Sequence, residues 1–187
     1  MKTALLLIDI QNDYFPGGRM ELVGSQPASL RAKDLLTLFR DRNLPIIHIQ
    51  HISNRKGASF FLPDTAGVEI HANVSPLPGE TIIQKSFPNS FRNTDLLTRL
   101  KDAEVSQLVI CGMMTHMCVD ATVRAAFDNG FNCVVIHDAC ATRGLSFNGD
   151  EIPSVMVHGA FLAALGAVYA QVCDSGEFAV QIAEKVS

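Results

Sequence analysis

Apolar residues along the chain alternate between two spacings. Residues 4–8, 108–110 and 132–136 are short, nearly unbroken apolar runs, the pattern of strands covered on both faces, and 45–52, which alternates, and 81–84 read as two further short strands. Between them the spacing turns helical. Ala28, Ala32, Leu35, Leu36 and Phe39 make one apolar face, with Lys33, Asp34, Arg40 and Asp41 outside it. Leu96, Leu97 and Leu100 make a second face behind Asn93-Thr94-Asp95, and Val119, Val123, Ala126 and Phe127 a third that stops at Asn129-Gly130. A further helix is predicted over 152–165 with Gly166 at its end, then a last strand over 167–172 and a C-terminal helix opened by Asp174-Ser175. Six strands alternating with helices call for parallel pairing and right-handed crossovers. The expected fold is therefore an α/β, three-layer α/β/α sandwich on a central, mostly parallel six-stranded sheet.

Three of these strands end on ionisable groups. The run 4–8 stops at Asp9, the strand 81–84 at Lys85, and the run 108–110 leads through Gly112 into a turn that carries Cys118. Open α/β sheets place ligands at the carboxyl ends of their strands, so a carboxylate, an ammonium and a thiol are predicted to meet at one edge. Thr115 reads as the N-cap of the helix that follows, which sets Cys118 in its first turn. There, free amides and the helix dipole favour thiolate over thiol and could hold an oxyanion. Tyr14, Phe15, His51, Ser90, Phe91, Thr115 and His116 flank the same strand ends and are the expected substrate contacts. Residues 53–79 lack periodicity and are read as a lid or pocket wall, and Asp138 as a brace for a neighbouring turn.

The stretches Leu7-Ile8-Asp9-Ile10-Gln11-Asn12-Asp13-Tyr14-Phe15, Gln84-Lys85 and Cys111-Gly112-Met113-Met114-Thr115-His116-Met117-Cys118-Val119, in this order and spacing, resemble the isochorismatase-like cysteine hydrolases. Nicotinamidases, carbamoylsarcosine amidases and ureidoacrylate hydrolases belong to that family. The resemblance implies a catalytic triad of Asp9, Lys85 and Cys118, a cis peptide between Met113 and Met114, and an oxyanion hole from the amides of Met114 and Cys118. It implies hydrolysis of a C–N amide or carbamoyl bond of a small molecule through a thioester, in a homodimer or homotetramer. The alternatives are an isochorismatase-type ether hydrolase, or a non-catalytic small-molecule-binding or interaction domain of the same fold.

Composition narrows the remaining classes. At 187 residues and 48% hydrophobic, the chain has the material for one domain spanning 1–187. A net charge of −4 without a basic stripe gives no nucleic-acid footprint, and no apolar run approaches membrane-spanning length. Five cysteines without a C-x-x-C pair, and an N-terminus without a signal-type segment, point to free thiols in the cytoplasm. No dinucleotide or phosphate-loop motif suggests a cofactor. His48 and His51, three apart on a strand, face opposite ways and cannot chelate one ion; His48 is expected to be packed and hydrogen-bonded. Nicotinamidases place an Asp-x-His metal site just after this strand, where this chain reads His51-Ile52-Ser53-Asn54, so no metal is expected.

Overall fold

The computed structural model describes residues 2–184. In chain order its strands are β1 (Thr3–Ile8), β2 (Ile46–His51), β3 (Thr81–Lys85), β4 (Gln107–Met113), β5 (Asn132–Ala141), β6 (Leu145–Phe147), β7 (Asp150–Ile152) and β8 (Gln171–Cys173). The helices are α1 (Ser25–Asp41), α2 (Leu96–Asp102), α3 (Asp120–Asp128), α4 (Ser154–Val168) and α5 (Ser175–Glu184). Six strands form one sheet in the order β3-β2-β1-β4-β5-β8, and every pairing in it is parallel. Helices cover both faces, with Phe39 of α1 stacked on Phe178 of α5 on one side and α3 packed on α4 on the other. The central strand β1 is buried throughout from Ala4 to Ile8, as an apolar run without alternation requires. β1 lies between β2 and β4, and the chain leaves it in both directions. That reversal opens a crevice at the carboxyl edge.

Several boundaries differ from the sequence reading. The strand expected over 132–136 continues to Ala141, because β5 slips register against β4 between Ile110 and Gly112 and so resumes pairing after a bulge. Ile152 belongs to β7, not to a helix: β6 and β7 form a hairpin around Asn148-Gly149, both at positive φ, the turn that Asn-Gly favours. α4 therefore starts at Ser154, and it runs past Gly166 to Val168, leaving only Gln171–Cys173 for the last strand. His48 is packed as expected, with Nε2 2.9 Å from Glu80, and Asp138 accepts from both the amide and the hydroxyl of Ser175 at the start of α5. Among the described residues no helix is long and apolar enough to cross a membrane.

The segment 53–79 is stitched down along its length. Gln11 bridges to Ile70, the Asn12 amide donates to Glu69 and its side chain to Ala66, and Asp13 accepts from the amide of Phe61 at 2.6 Å. Gly67 sits where a Cβ would meet the Asp13 carboxylate at 2.1 Å, so the close approach excludes any larger residue. Of the two readings, lid or wall, this bonding makes a wall.

Candidate active site

At the end of β1 the backbone bends sharply. Asp9 takes φ 51°, a left-handed conformation that costs a non-glycine residue about 1 kcal/mol or more, and its amide donates to Ile49 on β2. The bend buries the carboxylate completely. Beside it, β4 comes so close that a Cβ on Gly112 would lie 2.0 Å from the Ile8 carbonyl oxygen, and Gly112 itself has φ 130°. The Met113–Met114 peptide is cis. The chain then makes a wide single turn over Thr115–Val119, with the Met114 carbonyl accepting from the amides of Met117 and Val119, before α3 begins at Asp120. Cys118 sits on that turn.

Lys85, at the end of β3, reaches into the same space. Its Nζ donates to Asp9 Oδ2 at 2.7 Å, to the Phe87 carbonyl at 3.1 Å, and lies 3.2 Å from His51 Nδ1. An ammonium has three protons, and acceptors surround this one, the Cys118 sulfur also within its reach. Burial pulls the Lys85 pKa down, but Asp9 first and Cys118 with it, through charge and hydrogen bonding, more than offset this and the net direction is up. Lys85 is therefore a fixed cation. Asp9 Oδ1 is buried and has no hydrogen-bond partner among the described residues, and the Asp9 carboxylate lies within 4.8 Å of the Cys118 sulfur.

Cys118 corrects the expectation of a preformed thiolate. Burial raises its pKa, the Asp9 carboxylate raises it further, and Lys85 opposes them without prevailing. The helix-terminus effect, about 0.3–1 kcal/mol, is smaller than the desolvation of a buried anion. At rest the sulfur keeps its proton. Tyr14 is treated likewise: burial, then Cys118 and Asp9, push its phenol well above the usual value, so it stays neutral.

Cys118 opens onto a cavity of about 310 Å³ whose wall includes Tyr14, His51, Phe60, Met114 and Met117. Of the expected contacts, Tyr14 and His51 face it. Five others lie outside its wall. Phe15 stacks on His71 at 3.6 Å, Ser90 bonds to Thr122 on α3, and Phe91 packs against Phe131. Thr115 does not cap the helix; its hydroxyl donates to the Ala141 carbonyl and bonds to His158. His116 is buried with Nδ1 on the Thr142 hydroxyl, an anchor for the turn that carries Cys118 rather than a solvent-facing group. The sequence reading missed Arg143 and Arg55, exposed guanidiniums at the cavity rim with no carboxylate partner among the described residues. Arg143 was findable by the rule that found Asp9, since it follows the end of β5, but only once that strand is known to run to Ala141.

Asp9, His51 and Cys118 bring donor atoms within 4.8 Å of one another, a spacing a metal ion can bridge. The fit fails on charge. Lys85 Nζ already sits against Asp9 and His51, so a divalent cation on the same donors would share their space with an ammonium.

Fold and site together define a doubly wound α/β domain with a buried acid, an ammonium and a thiol at the topological switch point. Residues 3–161 match the Isochorismatase domain family, and the chain belongs to this family of hydrolases. It is 53% identical over 178 residues to the isochorismatase family protein YddQ of Bacillus subtilis, covering 95% of this chain and 99% of YddQ. A streptothricin hydrolase of Streptomyces noursei is 34% identical over 167 residues, 87% of this chain and 65% of that protein. A solved structure from Oleispira antarctica, assigned to the isochorismatase hydrolases, superposes with a TM-score of 0.92 at 47% identity and 96% coverage of each chain.

Proposed function

We propose that the protein is a cysteine hydrolase that cleaves a C–N amide or carbamoyl bond of a small, carboxylate-bearing molecule through a thioester. The observation that carries this reading is the buried Asp9 carboxylate within 4.8 Å of the Cys118 sulfur, with Oδ1 unpartnered and Oδ2 held by Lys85. Asp9 takes the thiol proton as the sulfur attacks the carbonyl carbon, so thiolate exists only in the act of bonding. The oxyanion is assigned to the amides of Met114 and Cys118. Collapse breaks the C–N bond, and the leaving nitrogen takes the proton from Asp9. Asp9 then accepts a proton from water as the hydroxide adds to the thioester, and the sulfur leaves with that proton. Lys85, bonded to its Oδ2, orients Asp9 in both halves.

The cationic rim supports the substrate class. Arg55 and Arg143 lie at the mouth of the cavity on a chain of net charge −4, and among the described residues no carboxylate lines it. Tyr14 supplies a neutral phenol and His51 an imidazole as contacts. The reading includes a cytoplasmic location, which the buried free cysteines fit, and a homodimer or homotetramer. The uncharged helix α4, with Val155, Met156 and Val168 exposed, fits such association.

Replacement of Cys118 tests the reading. Cys118→Ser is expected to keep the fold and lose turnover of amides and carbamoyl compounds, measured as ammonia or amine release. Undiminished release by the variant would overturn the nucleophile assignment.

A further inference from the structure

The mechanism above gives His51 no task beyond lining the cavity, yet its backbone is held in place there. Gln11 clamps its backbone on both sides: Oε1 accepts from the His51 amide at 2.8 Å and Nε2 donates to the His51 carbonyl at 2.9 Å. The buried Gln11 amide also donates to Val68, so the clamp is anchored in the wall segment. His51 Nδ1 meets Lys85 Nζ at 3.2 Å. Nζ has only donors to give, so a protonated Nδ1 at this distance would set donor against donor. Nδ1 must then be an unprotonated acceptor, which leaves the neutral ring with its proton on Nε2. Nε2 has no partner among the described residues and is not sealed in, and the ring lines the cavity.

We propose that His51 is a positioning residue: its Nδ1 takes an ammonium proton of Lys85, fixing where Lys85 points, and this locks the Nε2–H tautomer as a donor aimed into the cavity. The inference rests on the hydrolase reading for its kinetic consequences, not for its structural content. Two consequences follow. The substrate must present an acceptor atom to Nε2–H, a carbonyl or carboxylate oxygen rather than an N–H. Protonation of His51 removes the acceptor and sets an imidazolium against an ammonium, so the site fails on the acid side. The charged and titratable groups facing the ring are Asp9 from β1, Lys85 from β3, Arg55 from the wall segment and Cys118 from the nucleophile turn. Burial holds the imidazole below its usual range; Asp9 opposes this, and Lys85 and Arg55 add to it. The neutral form therefore prevails at neutral pH, and the acid limb falls below the ordinary imidazole value.

The direct test is the ¹⁵N spectrum of the His51 ring in the resting protein, which needs neither variant nor substrate. Protonated Nε2 with unprotonated Nδ1 is expected, and the Nδ1–H tautomer would overturn the proposal. The kinetic test compares His51→Phe with His51→Gln, whose amide oxygen can accept from Lys85 and whose NH₂ can donate. Phe is expected to lower kcat/KM about 100-fold, the scale of a misplaced catalytic group, and Gln to recover it to within about 10-fold of wild type. The acid limb of the wild-type profile is expected to vanish in His51→Gln, which lacks a titrating ring; an identical limb would refute the positioning role. If Cys118→Ser stays active, the hydrolase reading falls while the tautomer measurement still decides this one.

Discussion

Replacing Asp9 by Asn removes one charge and almost no volume, and it isolates the pair on which the site is built. The Lys85 and Asp9 side chains have no exposed surface and meet at 2.7 Å, so the variant leaves an ammonium buried without a counter-charge. The folded chain has two exits. Lys85 can release its proton, which from an ordinary value near 10.4 costs about 5 kcal/mol at pH 7. Alternatively Cys118 can ionise and replace the lost carboxylate, which from about 8.5 costs about 2 kcal/mol. The expected loss of stability is thus about 2–5 kcal/mol, overlapping the ~3–5 kcal/mol typical of breaking a buried pair. In the wild type Lys85 has a raised folded pKa. Its stabilisation is fully present below the unfolded value of about 10.4 and fades as pH rises through the higher folded value. In the variant either exit leaves the folded chain one proton poorer than the unfolded chain at neutral pH, so its stability climbs with pH until the unfolded group titrates. The deficit should shrink from about pH 7 to about pH 9 in urea unfolding of both proteins, and thiolate absorbance shows which exit is taken. A deficit below about 1 kcal/mol at neutral pH, or one that grows with pH, would refute the argument.

Two further outcomes follow from the geometry. Gly112→Ala puts a methyl group 2.0 Å from the Ile8 carbonyl at φ 130°, and should cost about 3 kcal/mol or more, read as a fall in Tm; an unchanged Tm would show that β1 and β4 are not so tightly apposed. Arg143→Ala should raise KM about 10–100-fold for carboxylate-bearing amides while sparing uncharged ones, and equal effects on both would remove the anion-binding role of the rim.

The parts of the fold that burial dictates were legible from the sequence. β1 and β4 sit at the centre of the sheet, so their runs are apolar without alternation, and the ionisable groups at their ends stand out against them. What was not legible depends on pairing between distant segments. The bulge in β5 is a mismatch with β4, invisible in residues 132–141 alone, and it hid Arg143. The β6–β7 hairpin was readable in principle from Asn148-Gly149, but its strands are three residues each and mostly exposed, too short to show a period. Thr115 has the chemistry of a cap, and tertiary contact with Ala141 and His158 outbid that local use.

The misreading of the Cys118 charge says most about how the site works. From the sequence only the attractive terms are visible: a helix start, a nearby lysine, free amides. The opposing terms, burial and a carboxylate that shares the same space, exist only in the assembled sheet, and they prevail. A stored thiolate would sit beside the Asp9 anion with one cation for two charges. Keeping the proton on sulfur leaves one anion for the one cation, so the resting site is neutral and Lys85 is satisfied. In the proposed mechanism negative charge then appears only as it moves, from carboxylate toward the sulfur and on to the substrate oxygen, and Asp9 and Lys85 form an ion pair at the start and end of each half-reaction. A buried site with a single ammonium can run this chemistry because it never has to hold two anions at once.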